Sequence, residues 1–361
     1  MTAAPAFDEI LLGIGVIEGR PLPNGGRTST PLVLRNDGTG WTSFPVRVPV
    51  GAFLSGVGFS TPEVAWLYGG RNESFDGVLL RSDDAGRTWR DVSSILPSDC
   101  QAVADLAFAD AQVGYLVSHG YYATAFFVTH DGGQRWQRME TAPEVFPVSN
   151  LAAGIRDGAV EAVLSGGELS VVRLDDPSVP PVALTPPGDI RMSGANGCAT
   201  VASRGWIAAA ASLRRHDAVH TRAAIFSSAA PGAPWIEQSV ASTTPYPQLR
   251  AIDVRDAENG VAVGSASTVA GEAMVPYAIV TTADGLSWQE APITGLSEGW
   301  AVVDALRTRG EGAWAIATRY TSTTESALLR SDDGGRSWHL DVAPLVGNVG
   351  VFDLARNSAV H

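Results

Sequence analysis

Cysteine and basic residues are scarce in this sequence, and each scarcity excludes a class of function. The 361 residues include two cysteines, Cys100 and Cys198, which lie 98 positions apart and lack the short spacing of redox or zinc motifs. We expect two free thiols, with one long-range disulfide as the alternative. Lys and Arg number 25 against 38 Asp and Glu, for a formal net charge of −13. This balance opposes binding to nucleic acid or to anionic membranes, which requires dense basic patches.

Long apolar runs are also missing. Stretches such as 206–211 fall well short of the roughly 20 residues that span a bilayer, so we expect a soluble protein without membrane insertion. The first seven residues lack the basic region and apolar core of a secretory signal. We therefore expect a cytoplasmic protein, or a periplasmic or extracellular one if a signal peptide has been removed.

Turn-forming and apolar residues are abundant instead. The chain has 39 Gly, 22 Pro, 45% hydrophobic residues and 17% charged residues. Short apolar strands separated by many turns have this composition, whereas helices are richer in Glu, Lys and Leu. The composition predicts an all-β fold.

An internal repeat of the form S/T-x-D-x-G-x-(S/T/R)-W occurs at 82–89, 129–136 and 331–338. A copy one residue shorter occupies 282–288, and a weaker one occupies 35–41. The aspartate, glycine and tryptophan positions of the four clearest copies are Asp84, Gly86, Trp89, Asp131, Gly133, Trp136, Asp284, Gly285, Trp288, Asp333, Gly335 and Trp338.

Each clear copy follows a short apolar strand and precedes another, which indicates a hairpin turn. Asp and Ser/Thr side chains hydrogen-bond local backbone N–H groups, and Gly supplies the positive φ that such a turn needs. The tryptophan is predicted to fold back as an apolar plug between sheets. The motif is therefore predicted to be structural.

The period of the repeat predicts the architecture. The marker tryptophans at 41, 89, 136, 235, 288 and 338 are separated by 48, 47, 99, 53 and 50 residues. The gap of 99 is two periods, with Pro180 where the missing tryptophan would be, so seven units result. A second strand pair in each unit brings the number of strands per unit to four, as in propeller blades.

We therefore predict a seven-bladed β-propeller with four-stranded antiparallel blades, forming a single domain over residues 1–361. The segment 349–356 reads as an inner strand, so the N- and C-terminal strands are expected to share one blade. A linear β-solenoid is the alternative, but it would need capping units and shorter periods.

At these motifs the chain resembles the Asp-box (BNR) superfamily of propellers, most closely the photosystem II assembly-factor family. Sialidases, sortilin-type receptors and large xyloglucan hydrolases are other members. The resemblance implies a fold but no function, because in relatives the motif lies on the blade periphery, away from any active site. We find no counterpart of the arginine triad of sialidases, and arginines such as Arg81, Arg87, Arg330 and Arg336 lie in or beside the repeated turns.

Three carboxylates are candidate catalytic residues. An alignment of the inner strands places Gly58, Ala107, Gly154, Cys198, Asp253, Asp304 and Asp353 at equivalent positions. Asp253, Asp304 and Asp353 would then approach one another at one depth of a central channel, where they could bind a divalent cation or serve in acid/base chemistry. The alternative is that they cap strand turns or face channel water. No cofactor is otherwise evident.

A basic segment supplies the candidate ligand-binding residues Arg214, Arg215, His216, His220 and Arg222, which we place in the loop between the second and third strands of the fifth unit. Tyr121 and Tyr122 are expected on the same face, where propellers usually bind ligands. A solvated loop and a pair of tyrosines packed on their own hairpin are the alternatives.

Together these features favour a binding or assembly scaffold that recognises a protein or small ligand on one face. The alternative is a propeller enzyme of glycoside hydrolase, lyase or cyclase type that uses the channel carboxylates.

Overall fold

The structure is a computed structural model. It describes residues 10–21, 27–38, 40–120, 124–139, 151–156, 159–165, 169–176, 178–183, 190–201, 204–215, 218–256, 258–267, 274–281, 285–307, 311–320, 324–346 and 348–355. Within these ranges the secondary structure is β-strand apart from one turn of 3-10 helix, Ser93–Ile95. Accordingly, no helix there is long and apolar enough to cross a membrane.

The described strands fall into two compact units, the first formed by residues 1–140 with 346–361 and the second by residues 141–345. The first unit contains three sheets, which we number 1 to 3, with strand orders β3-β2-β1-β30, β4-β5-β6-β7 and β8-β9-β10-β11. Its strands are β1 Ile10–Pro21, β2 Arg27–Asn36, β3 Trp41–Pro45, β4 Ala52–Phe59, β5 Ala65–Arg71, β6 Gly77–Ser82, β7 Arg90–Asp91, β8 Ala102–Phe108, β9 Gly114–His119, β10 Thr124–Thr129, β11 Gln137–Arg138 and β30 Asn348–Ala355.

The second unit contains sheets 4 to 7, with strand orders β12-β13-β14-β15, β16-β17-β18-β19, β21-β22-β23-β24-β20 and β26-β27-β28-β29-β25. Its strands are β12 Leu151–Arg156, β13 Ala159–Ser165, β14 Leu169–Arg173, β15 Val182–Ala183, β16 Ile190–Val201, β17 Arg204–Arg215, β18 Ala218–Ser228, β19 Ile236–Glu237, β20 Ser239–Ala241, β21 Gln248–Val254, β22 Gly260–Ser267, β23 Met274–Thr281, β24 Ser287–Glu290, β25 Ile293–Thr294, β26 Trp300–Arg307, β27 Ala313–Tyr320, β28 Thr324–Ser331 and β29 Trp338–Val346.

Each sheet is built around an antiparallel meander, and sheet 1 is completed by the end of the chain. β30 pairs with β1, joining Leu12 to Asp353 in register. The expectation of four strands in every blade is wrong for sheets 6 and 7, which have five. In each of these the extra strand, β20 or β25, pairs in parallel with the outermost strand of the meander.

Apolar side chains from neighbouring sheets form the core of each unit. In the first unit, Leu12, Val33 and Leu67 belong to one buried cluster, and Trp66, Leu116 and Phe127 belong to another. In the second unit, equivalent clusters centre on Trp206 with Trp288 and on Trp300 with Trp338. Burying large side chains between sheets is the main source of stability in such a fold.

Candidate functional site

The repeated aspartate motif forms a turn held by its own side chains. In the copy at 82–89, Ser82 Oγ donates to Asp84 Oδ1 at 2.7 Å and accepts from Gly86 N at 2.8 Å. Thr88 donates to Asp84 twice, from its backbone N at 2.8 Å and from its hydroxyl at 2.6 Å. Burial alone would raise the pKa of Asp84, but the bonds from Thr88 and Ser82 outweigh it and lower that pKa to about 2.

Two further copies repeat this geometry. Gly133 N donates to Thr129 Oγ1 at 3.0 Å, and Gly335 N donates to Ser331 Oγ at 2.8 Å. Asp131 accepts from Arg135 N, and Asp333 accepts from Ser337 N, each at 2.9 Å. We call these three segments, 82–89, 129–136 and 331–338, the aspartate turns. Asp284 lies outside the described residues, but Gly285 has a positive φ of 66°.

The tryptophan plugs are largely buried as expected. Trp136, Trp288 and Trp338 are each at most 4% exposed, whereas Trp89 is half-buried. Trp300, which does not belong to a turn, is 2% exposed. The Arg319 guanidinium stacks over its ring, 4.8 Å from the ring centre. The four buried rings, Trp136, Trp288, Trp300 and Trp338, therefore do not form open sugar-stacking platforms.

The glycine of each aspartate turn rests on the sheet before it in the same unit. A Cβ on Gly133 would lie 2.6 Å from the Trp66 ring, and a Cβ on Gly335 would lie 2.1 Å from Val261. Gly86 makes the same approach to Leu12, at 2.7 Å. The aspartate turns therefore connect neighbouring sheets, which gives them a structural role.

Arginines beside the turns form contacts both between neighbouring sheets and within one sheet. Arg81 donates to Gly132 O at 3.2 Å and stacks 5.1 Å from the Trp66 ring centre, and Arg35 donates to Ala85 O at 3.1 Å. Arg330 stacks 5.4 Å from the centre of the Trp314 ring. These arginines are engaged within the fold, in agreement with their interpretation as turn residues.

The register of the inner strands corrects one part of the predicted carboxylate alignment. β4, β8, β21 and β26 each carry a one-residue bulge, between Leu54 and Gly56, Val103 and Asp105, Leu249 and Ala251, and Val302 and Asp304. Counted from the bulge, Asp253 is equivalent to Gly58 and Ala107, as expected. Asp304 stands two residues earlier, about 7 Å along its strand.

The bulge instead makes Asp105 the counterpart of Asp304. Asp105 accepts a hydrogen bond from the Tyr68 hydroxyl at 3.1 Å and from Leu106 N at 2.8 Å. Asp253 accepts one from Val254 N at 2.9 Å. Sequence reasoning missed Asp105, although its position in a matching strand was the available signal.

The described residues do not show a metal centre at these carboxylates. No group of three or more His, Cys, Asp or Glu side chains within the described ranges is arranged to hold a metal ion. Asp353 lies on β30, where its side chain is outside the described set. A catalytic or cation-binding role for Asp253, Asp304 and Asp353 stays a prediction.

The basic segment does not occupy a long loop. β17 extends to Arg215 and β18 begins at Ala218, so Arg214, Arg215, His220 and Arg222 are strand residues of a tight hairpin. The register pairs Leu213 with His220. The loop assignment failed because arginine and histidine are compatible with the end of a strand as well as with a loop.

Among the candidate ligand-binding residues, Arg222 is the one whose side chain is described, and it forms an ion pair with Glu237. His216 lies outside the described residues, as do Tyr121 and Tyr122. Their role in ligand binding also stays a prediction.

Cys100 is a free, buried thiol, in agreement with the expectation for this residue. Burial raises the pKa of this thiol to about 12, so it is neutral at physiological pH and a poor nucleophile. Chemistry at Cys100 is therefore not a candidate activity.

One exposed apolar surface was missed by the sequence analysis. We call it the sheet-2 tip, and it consists of residues 50–53 and 71–76. Val50 is 94% exposed, Phe75 42% and Phe53 36%, and these three are half of the exposed large hydrophobic side chains in the described part of the chain. A concentration of exposed apolar side chains in one place is typical of an interaction site, whereas isolated ones are ordinary.

Backbone contacts bring the two segments of the tip together. Phe53 pairs with Gly70 across β4 and β5, and Asn72 N donates to Gly51 O at 3.0 Å. A Cβ on Gly70 would lie 3.1 Å from the Phe53 ring, so the absence of a side chain there makes room for the phenyl group. Val50, Phe53 and the hairpin 71–76 therefore share one end of sheet 2.

Phe75 is held in a strained backbone conformation within this hairpin. Its φ is 59°, in the left-handed region that costs an L-residue about 1–2 kcal/mol. Phe75 N donates to Arg71 O at 3.0 Å, and Arg71 N donates to Asp76 O at 3.0 Å. Ser74 Oγ donates to Asp76 Oδ2 at 2.6 Å. The hairpin thus presents an exposed aromatic ring at a position where glycine would adopt the same backbone conformation without strain.

Comparison with known proteins shows the fold but not a family. No protein-family model matches the chain, and no curated protein matches it in sequence. Solved structures do match. YCF48 bound to a D1 peptide is 16% identical with a TM-score of 0.50, over 82% of this chain and 83% of that one. YCF48 from Cyanidioschyzon merolae is 16% identical with a TM-score of 0.51, over 88% and 95%.

The β-propeller domain of the Trilobed protease from Pyrococcus furiosus is 6% identical with a TM-score of 0.50, over 93% of this chain and 91% of that one. At such low identity, structural likeness carries information on the fold alone. The fold of this chain is an all-β propeller, as predicted.

Proposed function

We propose that this protein is a binding scaffold that recognises a segment of another protein at the sheet-2 tip. The aspartate turns further support the proposal that it is an Asp-box propeller with seven blades, because the described strands form seven sheets. In this proposal the turns and their tryptophans stabilise the sheets, and the strand-end loops bind the partner.

The proposal rests on the exposure of Phe75 in a strained hairpin. Strained residues persist where the side chain or backbone geometry has a use that offsets the cost. Here the strained residue places a half-exposed phenyl group at the same end of sheet 2 as Phe53 and Val50, on a hairpin whose residues 72–76 are all exposed. Exposed aromatic side chains are frequent anchors of protein interfaces.

The comparison with YCF48 supports the same class of partner. That protein, which is comparable in size to this chain, has been solved with a D1 peptide bound. The enzymatic alternative would need a cluster of carboxylates around a substrate, and the described carboxylates Asp105 and Asp253 accept hydrogen bonds from their own strands.

A selection from a random 12-residue peptide library displayed on phage tests the proposal. Full-length protein is the target, and enriched peptides are then measured by fluorescence anisotropy against Phe75→Gly. This variant removes the ring and also relieves the left-handed strain, which offsets the greater freedom of glycine in the unfolded chain, so we expect it to fold with a stability close to that of the parent protein. Ile236→Ser is the matched control, since Ile236 is 65% exposed and lies far from the tip in sequence.

We expect enriched peptides to lose at least about tenfold in affinity with Phe75→Gly, because a buried aromatic anchor contributes more than 1.4 kcal/mol. Ile236→Ser should bind like the parent protein. Enriched peptides that bind equally to all three proteins would show that the sheet-2 tip is not the binding surface.

A further inference from the structure

We infer that the sheet-2 tip selects a partner segment in which apolar side chains are flanked by Lys or Arg. This inference rests on the proposed function and adds the chemistry of the partner. Its basis is the arrangement of charge around the exposed rings of the tip.

Carboxylates flank Phe75 on both sides. Glu73 and Asp76 are exposed within the hairpin, and no basic residue occurs between positions 72 and 76. The arginine at the base of the hairpin, Arg71, is half-buried, whereas Arg47, three residues before Val50, is exposed. A ligand that covers Phe75 therefore binds where two exposed carboxylates lie within two residues of the ring, whereas the exposed arginine, Arg47, is 28 positions away in the sequence.

The negative net charge of the whole chain also favours a basic ligand. At −13 the protein attracts basic ligands over distances of about 8–10 Å at ordinary ionic strength. Electrostatic complementarity of this kind sets the selectivity and the rate of association more than the final affinity. Apolar contact with Phe53, Phe75 and Val50 would supply the affinity.

Two other occupants of an apolar tip are disfavoured by the same charge. A second copy of this chain would bring another net charge of −13 against the first, and an anionic lipid surface would repel Glu73 and Asp76. A basic and apolar protein segment satisfies both the rings and the carboxylates, because its cations pair with the carboxylates while its apolar side chains cover the rings.

Four synthetic peptides of 12 residues test this inference. The first alternates Phe and Leu with Lys, the second replaces every Lys with Glu, the third replaces every Lys with Gln, and the fourth keeps Lys but replaces Phe and Leu with Ser. Anisotropy titrations against the full-length protein are repeated with Phe75→Gly, Glu73→Gln and Arg47→Gln. Analytical ultracentrifugation of the free protein reports on self-association.

We expect the Lys-containing apolar peptide to bind most tightly and to lose at least about tenfold with Phe75→Gly. Glu73→Gln should weaken its binding by about two- to fivefold, the effect of one exposed ion pair. Arg47→Gln should not weaken it.

Tighter binding of the Glu-containing peptide, or equal binding of the Lys, Glu and Gln peptides, would overturn the inferred charge preference. The proposed function would still stand if Phe75→Gly weakened the binding of these peptides by at least about tenfold. Binding of the Ser-containing peptide as tight as that of the first would show attraction by charge alone and would also overturn the inference. Binding of all peptides unaffected by Phe75→Gly would overturn the proposed function as well. A dimer that is lost with Phe75→Gly would assign the tip to self-association and would overturn both.

Discussion

Replacing Gly133 with alanine probes the contact by which an aspartate turn supports its neighbouring sheet. Gly133 has a φ of 80°, and a Cβ there would lie 2.6 Å from Cη2 of Trp66. The indole cannot easily move away. It stacks on Phe108 with 5.6 Å between ring centres, donates from Nε1 to Ser60 Oγ at 3.0 Å, and is covered by the Arg81 guanidinium.

The expected cost combines two effects. A left-handed backbone costs alanine about 1–2 kcal/mol, and overpacking a filled site costs about 1–3 kcal/mol. The unfolded chain of the alanine variant has a lower conformational entropy, which offsets about 0.4–1 kcal/mol of this loss of stability. We therefore expect Gly133→Ala to lower the free energy of unfolding by about 3 kcal/mol.

Gly51→Ala is the matched control. Gly51 has a φ of 74°, and a Cβ added at this position would have no neighbouring heavy atom within 4 Å. Gly51→Ala introduces the cost of the left-handed backbone without overpacking, so we expect it to lower the free energy of unfolding by about 1 kcal/mol. Urea unfolding followed by circular dichroism measures both variants. In a Trp66→Phe background the extra cost of Gly133→Ala should shrink, since the shorter ring withdraws from the contact. Equal losses for the two glycine variants in the parent protein would refute the role of this contact.

Three other properties follow from the described contacts. Ala85 has a φ of 56°, where the other aspartate turns have Gly132 and Gly334, so Ala85→Gly is expected to be neutral or to raise the free energy of unfolding by up to about 1 kcal/mol, and a clear loss in urea unfolding would contradict the strain argument. Because the pKa of Asp84 is about 2 in the folded protein and about 3.9 in an unfolded chain, its contribution to stability is present above pH 4 and is lost as the pH falls towards 2. Urea unfolding between pH 5 and 2 should therefore show a smaller acid-dependent loss for Asp84→Asn than for the parent protein, and identical slopes would count against the hydrogen bonds assigned to Asp84. Cys100, which is buried with a thiol pKa of about 12, should react with a thiol reagent only after denaturation, and rapid labelling of native protein followed by mass spectrometry would contradict its burial.

Local chemistry explains why so much of the fold could be predicted. The aspartate turns bind their own backbone, so their residues specify their shape wherever they occur. The period of the tryptophans then predicts the number of units, and Trp66, Trp206 and Trp314 all lie on the second strand of their sheets. The two additional parallel strands, β20 and β25, were not predicted, because an edge pairing depends on where a connecting segment passes and not on its own residues.

The candidate site was less predictable for a related reason. A bulge adds one residue to a strand without a sequence signal as specific as that of the turns, and it separated Asp304 from the position assigned to it. The hairpin of Arg214 to Arg222 was placed in a loop because charged residues fit a loop and the end of a strand equally well.

The sequence by itself determined the strands, the aspartate turns and their repetition, because these depend on residues within a few positions of one another. Only the tertiary structure decided which side chains are buried and which remain exposed. Phe75 and Phe127 are both phenylalanines, yet one is 42% exposed and the other is fully buried. The difference arises because sheet packing covers Phe127, while a strained hairpin carries Phe75 beyond the end of its sheet.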